Sequence, residues 1–366
     1  MNRIALPDFP WDSLAEVKAT AQAHPGGVVD LSIGTPVDPV PDGIREALAS
    51  VSAIPGYPTT HGIPALRDAA RGALSRRHGV DGIEPDAVLP TIGSKEAVAW
   101  LPRLLGFGPG DLVVIPELAY PTYEVGALLA GASILRADST VAVGPQKPAM
   151  IWLNSPSNPT GQVLPVEHLR KVVEWARERD VIVVSDECYL ALGWESDPLS
   201  VLHPDVCGGR TDGLIAVHSL SKSANLASYR AGFLTGDPRL IKQLLEVRKH
   251  AGMIVPRPVQ EAMVAALTDD EALEVQRERY ARRRLVLRKA LLDNGFRIDH
   301  SEAGLYLWAT RDEDSSVTVR WLAERGILVA PGTFYGPKGG KHVRVALTAT
   351  DERVDAAVER LTRQCA

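Results

Sequence analysis

Cysteine is scarce in this chain, at three residues in 366. Cys188, Cys207 and Cys365 have neither metal-ligand spacing nor an even-numbered framework, so a disulfide scaffold is excluded, no metal site is expected, and a reducing compartment fits. Long apolar runs are missing as well. No stretch reaches the roughly 18 apolar residues that a membrane span needs. The start, M-N-R-I-A-L-P-D-F-P-W, lacks the layout of a signal peptide. A cytoplasmic protein with no membrane partner is expected. Excess charge is small, with 40 Lys and Arg against 45 Asp and Glu and a formal net of -5. That balance speaks against a nucleic-acid partner, which needs a basic surface. The locally basic run R-E-R-Y-A-R-R-R-L-V-L-R (277–288) has its apolar residues at helical spacing and reads as a solvated helix face. There is no internal repeat and no low-complexity linker.

What is present is an alternation. D-L-V-V-I-P-E (111–117), A-S-I-L-R-A-D (132–138), A-M-I-W-L-N (149–154), V-I-V-V-S-D (181–186) and L-I-A-V-H-S (214–219) read as buried strands. Helical patterns lie between them. Val166, Leu169, Val172, Val173 and Ala176 line one face of a helix opened by Pro165 and Glu167. This order predicts βαβ units, an α/β fold with a mostly parallel central sheet covered by helices. The last third changes to a long charged helix (about 271–294), short strands and a closing helix, a smaller α+β unit. At roughly 150 residues per domain the length suits two units. The expected division is an N-terminal segment (1–44) packing with the small unit, a large unit (45–270) and a small C-terminal unit (271–366).

Ligands of open parallel sheets bind beyond the carboxyl ends of the strands. The sequence puts Tyr120 there after the first strand, Asn154 and Asn158 after the third, Asp186 and Tyr189 after the fourth, and Ser219 and Lys222 after the fifth. Together they describe a pocket for a flat, charged, phosphorylated ring. A Schiff-base amine must be neutral part of the time, and Lys222 has no acidic neighbours in sequence. Asp186 would pair a protonated ring nitrogen and keep the ring an electron sink. Asn158 and Tyr189 would bond a ring hydroxyl, and Tyr120 would stack on the ring face. Ser219, Arg230 and the start of a helix at Gly93, Ser94 and Lys95 would hold the phosphate. Asn154 either contributes to the site or only shapes the turn. His218 reads as a packed histidine, and G-F-G-P-G-D (106–111) as a turn, since it lacks the rest of a dinucleotide fingerprint.

The motifs N-S-P-S-N-P-T-G (154–161), S-D-E-C-Y (185–189) and S-L-S-K with an arginine eight residues beyond the lysine (219–230) resemble those of fold-type I, class I/II aminotransferases that use pyridoxal 5'-phosphate. The separations from Asn158 to Asp186 (28) and from Asp186 to Lys222 (36) resemble that family's too, and the likeness runs over nearly the whole chain. The resemblance implies that Lys222, Asp186 and Tyr189 are catalytic, with Lys222 as Schiff-base lysine and proton carrier in a ping-pong reaction. It implies that Arg344 pairs with the substrate α-carboxylate, beside Gly34 and Asn158. It further implies that Tyr57 reaches the phosphate of the other subunit of a homodimer with shared active sites. The implied partners are an amino acid and a 2-oxo acid, glutamate and 2-oxoglutarate among them.

S-L-S-K also fits the S-x-x-K signature of acyl-enzymes, but here the serine ends a strand and the companion motifs come in the wrong order. A ligand-sensing regulator would need a DNA-binding appendage, for which the segment before the first motif is too short. A β-lyase on the same scaffold stays open, because fold does not set reaction. Further stretches, F-P-W-D-S-L-A (9–15), L-S-I-G-T-P-V-D-P-V-P (31–41), I-P-E-L-A-Y-P-T-Y (115–123) and R-K-H-A-G-M-I-V-P (248–256), resemble actinobacterial succinyldiaminopimelate aminotransferases of lysine and diaminopimelate biosynthesis. A broader enzyme acting on aspartate, aromatic or other amino acids is the alternative. Arg248, Lys249 and Arg257 are candidates to read a distal carboxylate.

Overall fold

The computed structural model describes residues 6–362; Cys365 lies outside them. Thirteen strands are described: β1 (Val29–Asp30), β2 (Val88–Ile92), β3 (Leu112–Ile115), β4 (Ser133–Arg136), β5 (Met150–Asn154), β6 (Ile182–Asp186), β7 (Leu214–Ser219), β8 (Ala231–Gly236), β9 (Arg297–Ile298), β10 (Tyr306–Thr310), β11 (Ile327–Leu328), β12 (Ala330–Pro331) and β13 (His342–Ala346). Seven form one sheet in the order β2-β8-β7-β6-β5-β3-β4. Neighbours from β7 to β4 are parallel, while β8 runs antiparallel to both β7 and β2.

The five strands expected from apolar runs are all present, four of them slightly shorter than their runs and β7 matching its run residue for residue. β2 and β8 were not anticipated. β2, V-L-P-T-I, contains a proline, and it lies at the edge of the sheet, where a missing N–H leaves no ladder bond unmade. β8, A-G-F-L-T-G, is bounded by small residues and carries little β-branched signal.

Consecutive residues of the central strands feed opposite cores, as alternation on a pleated strand requires. Val114, Ile151, Val183 and Ala216 pack toward the helices Pro64–His78, Val166–Arg177 and Arg257–Thr268. Val113, Trp152, Val184 and Val217 pack toward the helices Gly93–Leu104, Thr122–Ala130 and Pro238–Ala251. Both faces are therefore covered, and each fully buried Val or Ile adds about 1.5–3 kcal/mol of hydrophobic stabilisation before entropy is counted.

A second, four-stranded antiparallel sheet has the order β12-β13-β10-β9. β1 pairs in parallel with β11, which joins the start of the described chain to its last third. Arg283 reinforces this junction, its guanidinium reaching Asp38 at 2.6 and 2.8 Å and Asp351 at 2.8 Å. The basic run 277–288 is thus not simply a solvated face. Arg283 is buried, Arg284 holds Glu195 and the Ser301 carbonyl, and Arg277 donates to the Gly193 carbonyl. These arginines lie where the long helix crosses other segments, so their charges are spent on packing partners.

Candidate active site

One cavity of about 990 Å³ opens beyond the carboxyl ends of β5, β6 and β7. Its lining includes Gly34, Ser94, Lys95, Tyr120, Asn158, Asp186, Tyr189, Ser219, Lys222, Arg230 and Arg344. Asn158, Asp186, Ser219 and Lys222 converge because adjacent parallel strands end at the same level, while Gly34 and Arg344, 310 positions apart, are brought to the cavity by the segment after β1 and by β13 of the smaller sheet.

Asp186 ends β6, buried. It accepts hydrogen bonds from the Tyr123 hydroxyl at 2.7 Å and the Cys188 backbone N–H at 3.2 Å. Burial pushes its carboxyl above the usual range, and these donors only partly offset that. Among the described residues no cationic side chain pairs with it, so the site has room for a cation supplied by a ligand. Asn154 fixes the adjoining turn: its side chain accepts from the Asn158 N–H at 2.7 Å and donates to the Asp186 carbonyl at 3.0 Å.

Lys222 lies in the turn after β7. Desolvation lowers its pKa to about 8, with the nearby charges of Arg344 and Arg230 acting in the same direction and Cys188 opposing. Its ammonium donates to the Gly34 carbonyl. Gly34 must be small, since a Cβ there would collide with the Tyr306 hydroxyl. Tyr306 OH in turn lies 3.0 Å from Tyr189 OH.

Arg344 on β13 is buried between rings, 3.9 Å from the Tyr306 centroid and 5.0 Å from that of Tyr335. It donates to the Asn158 side-chain oxygen at 2.8 Å and to the Ser32 carbonyl at 2.7 Å. A planar guanidinium held this way presents a rigid fork suited to a carboxylate.

At the opposite end, the helix Gly93–Leu104 begins against Arg230. Gly93 has φ +73, and a Cβ there would strike the Arg230 guanidinium, so both conformation and space demand glycine. Arg230 itself is held at φ 57, an uncommon conformation for a side-chain-bearing residue, of the kind that clusters at functional sites. Ser94, Ser219 and Arg230 line the cavity together with the start of this helix, a set of donors that could hold an anion. The buried, cation-free carboxylate at one side and this set of donors at the other fit a cationic ring bearing a phosphate.

The expectation that three basic residues read a distal carboxylate is revised. Arg248 is 0 % exposed and ion-paired to Glu96 at 2.8 Å, while Lys249 pairs with Glu246 and Arg257 with Glu261. None of the three lines the cavity of this chain. Tyr57 is 99 % exposed and outside the cavity. His218 is buried and stacked on Phe233, the packed histidine expected. Tyr123 and Tyr306 were missed as site residues. Tyr123 was visible as the second ring of A-Y-P-T-Y, but Tyr306 enters only through the pairing of β10 with β13. Phe9, Trp11 and Phe334 also line the cavity; the first two lie in the stretch 9–15 noted for its resemblance, but nothing in the sequence placed any of the three at the site.

Residues 26–361 match the model of the aminotransferase class I and II family. The chain belongs to that family. Its members use pyridoxal 5'-phosphate, and this chain is a pyridoxal-phosphate-dependent aminotransferase of class I/II. It is 65 % identical to a probable aminotransferase of Mycobacterium tuberculosis over 98 % of this chain and 86 % of the relative. It is 58 % identical to the 4-dedimethylamino-4-oxo-anhydrotetracycline transaminase OxyQ of Streptomyces rimosus, over 98 % of this chain and 99 % of that one. A solved structure of a probable N-succinyldiaminopimelate aminotransferase from Thermus thermophilus superposes with a TM-score of 0.86 at 30 % identity, covering 96 % of this chain and 99 % of the other. The relatives differ in named activity, so aminotransferase chemistry is shared while the substrate is not specified by kinship. Among the described residues no cluster of side chains could hold a metal, and no helix is long and apolar enough to cross a membrane.

Proposed function

We propose that this aminotransferase moves an amino group between N-succinyl-LL-2,6-diaminopimelate and 2-oxoglutarate, in a ping-pong cycle run by Lys222. The carrying observation is the convergence of Lys222, Asp186 and Arg344 on one cavity large enough for a long substrate. Support for the particular substrate comes from the resemblance of residues 9–15, 31–41, 115–123 and 248–256 and from the likeness to the Thermus thermophilus structure.

Pyridoxal phosphate, when bound, supplies an electron sink for the pair left when the substrate Cα loses its proton. The residues that would hold it are Asp186 at the ring nitrogen, Tyr120 at the ring face and Asn158 and Tyr189 at the ring hydroxyl. Gly93, Ser94, Lys95, Ser219 and Arg230 would hold the phosphate, with Tyr57 of a second copy completing it in a homodimer. Lys222 takes the Cα proton and returns it on the other side of the exchange. An amine whose pKa lies near 8 is suited to both tasks near neutral pH. Arg344 orients the α-carboxylate and keeps it in place, which favours amino transfer over decarboxylation.

A second reading has its own observation. Phe9, Trp11 and Phe334 line the cavity beside Lys95 and Arg136, whose charges already have partners, and OxyQ is named for an anhydrotetracycline substrate, so a broader range of amino acids and oxo compounds is supported. The deciding experiment follows the visible band of the loaded enzyme on adding N-succinyl-LL-diaminopimelate, then 2-oxoglutarate. Loss and return of the band supports the first reading. Response to glutamate alone leaves the aminotransferase and removes the diaminopimelate substrate. Substantial turnover by Lys222→Ala would overthrow the assignment of the lysine itself.

A further inference from the structure

Part of the lining of this cavity is aromatic and differs in chemistry from the polar wall around Asp186. Phe9 and Trp11 lie 5.5 Å apart by ring centroids, and Trp11 and Phe334 5.3 Å apart, so three rings form one continuous row. They come from two segments remote in sequence, both lining the same cavity as Lys222. Leu6 and Phe9 add apolar surface that is 48 % and 53 % exposed in this chain.

The charged groups on the same side are already occupied. Arg136 donates to Glu124 at 2.7 Å and to the backbone carbonyls of Pro116 and Glu117. The Lys95 ammonium stands 5.5 Å from the Phe9 centroid, over the ring. A second substrate carboxylate would have to break the Arg136–Glu124 pair or draw Lys95 from Phe9. A flat apolar group would leave both contacts in place and would gain ring contact along this row of tilted rings.

We infer that Phe9, Trp11 and Phe334 determine specificity for the part of the substrate beyond the reacting carbon, and that this part is bulky, flat and largely apolar. The inference develops the second reading above, stands against the diaminopimelate substrate, whose distal part bears a carboxylate, and rests on the aminotransferase assignment. It makes one occupant of the aromatic part of the cavity explicit, the distal group of the substrate itself.

The test is a set of half-reactions on the loaded enzyme with L-tryptophan, L-alanine and L-glutamate as amino donors. The proteins are wild type, Phe334→Ala, Phe334→Leu and Phe9→Ala. Wild type should favour tryptophan over alanine. Phe334→Ala should lower kcat/KM for tryptophan by about tenfold or more and for alanine by less than about threefold. Phe334→Leu, which keeps bulk but loses the flat face, should show the same selectivity with the fold intact. Equal losses for both donors, or no preference for tryptophan in wild type, would overturn the inference. If Phe9→Ala halves the sedimenting mass while sparing the tryptophan preference, Phe9 serves a subunit contact and its place in the recognition wall is wrong. If no donor alters the visible band, the aminotransferase reading fails instead; if alanine or glutamate alters it without a tryptophan preference, only the present inference fails.

Discussion

Asp186 is held by neutral donors of two residues, the Cys188 thiol and N–H and the Tyr123 hydroxyl, and the more informative residue is Tyr123. Tyr123→Phe removes a hydrogen bond to a buried carboxylate, a loss of about 1.5–3 kcal/mol in the ionised form. The ring stays packed against Trp152, at 4.7 Å between centroids, so the fold should survive. The expected outcome is a fall in kcat of roughly tenfold or more with little change in thermal midpoint, read by steady-state kinetics beside a melting curve. At Lys222 the sign is simple: below pH about 8 the amine is mostly protonated, above it mostly neutral. Labelling of the cofactor-free protein by an amine reagent, followed by peptide mapping, should therefore rise through pH about 8 at this lysine. A midpoint near 10.5 would contradict the role of burial. Both residues were legible in sequence, because each follows an apolar run at a strand end. Tyr306 was not, since its partnership with Arg344 depends on which strand lies beside β13.

Helices and strands show the same division of legibility. The helix Val166–Arg177 has Leu169, Val172, Val173 and Ala176 buried, as its periodicity requires. Arg248 is different. Its basic neighbourhood suggested ligand recognition, yet it clamps the helix Pro238–Ala251 to the helix Gly93–Leu104 through Glu96. Arg248→Ala leaves Glu96 without its buried partner and should cost about 3–5 kcal/mol, measured by urea denaturation. KM for glutamate should stay within about twofold, since Arg248 is outside the cavity of this chain. A large rise in KM at unchanged stability would restore the recognition role. Charge clusters in a linear sequence do not reveal burial, and burial decides whether an arginine binds ligand or holds two helices.

Over the whole molecule, Arg283 joins three distant parts of the chain, pairing with Asp38 and Asp351 from the middle of the long helix Asp270–Asp293. Arg283→Ala should leave Asp38 uncompensated and lower stability by about 3–5 kcal/mol, seen as an earlier urea transition. Tyr57 belongs to this scale too. If it completes the phosphate site of a second copy, Tyr57→Phe should weaken retention of pyridoxal phosphate several-fold on dialysis while sedimentation still reports a dimer. Unchanged retention would remove it from the site.

The sequence by itself determined the alternation of strand and helix, the polar residues at the strand ends, and with them the family chemistry, because apolar periodicity and strand-end motifs are local properties of the chain. Only the tertiary structure decided which aromatic rings wall the cavity, which arginines are consumed by packing, and that Tyr123 and Tyr306 stand beside Asp186 and Arg344. Those facts depend on contacts between segments far apart in sequence, where strand pairing and helix crossing, rather than local pattern, set the distances.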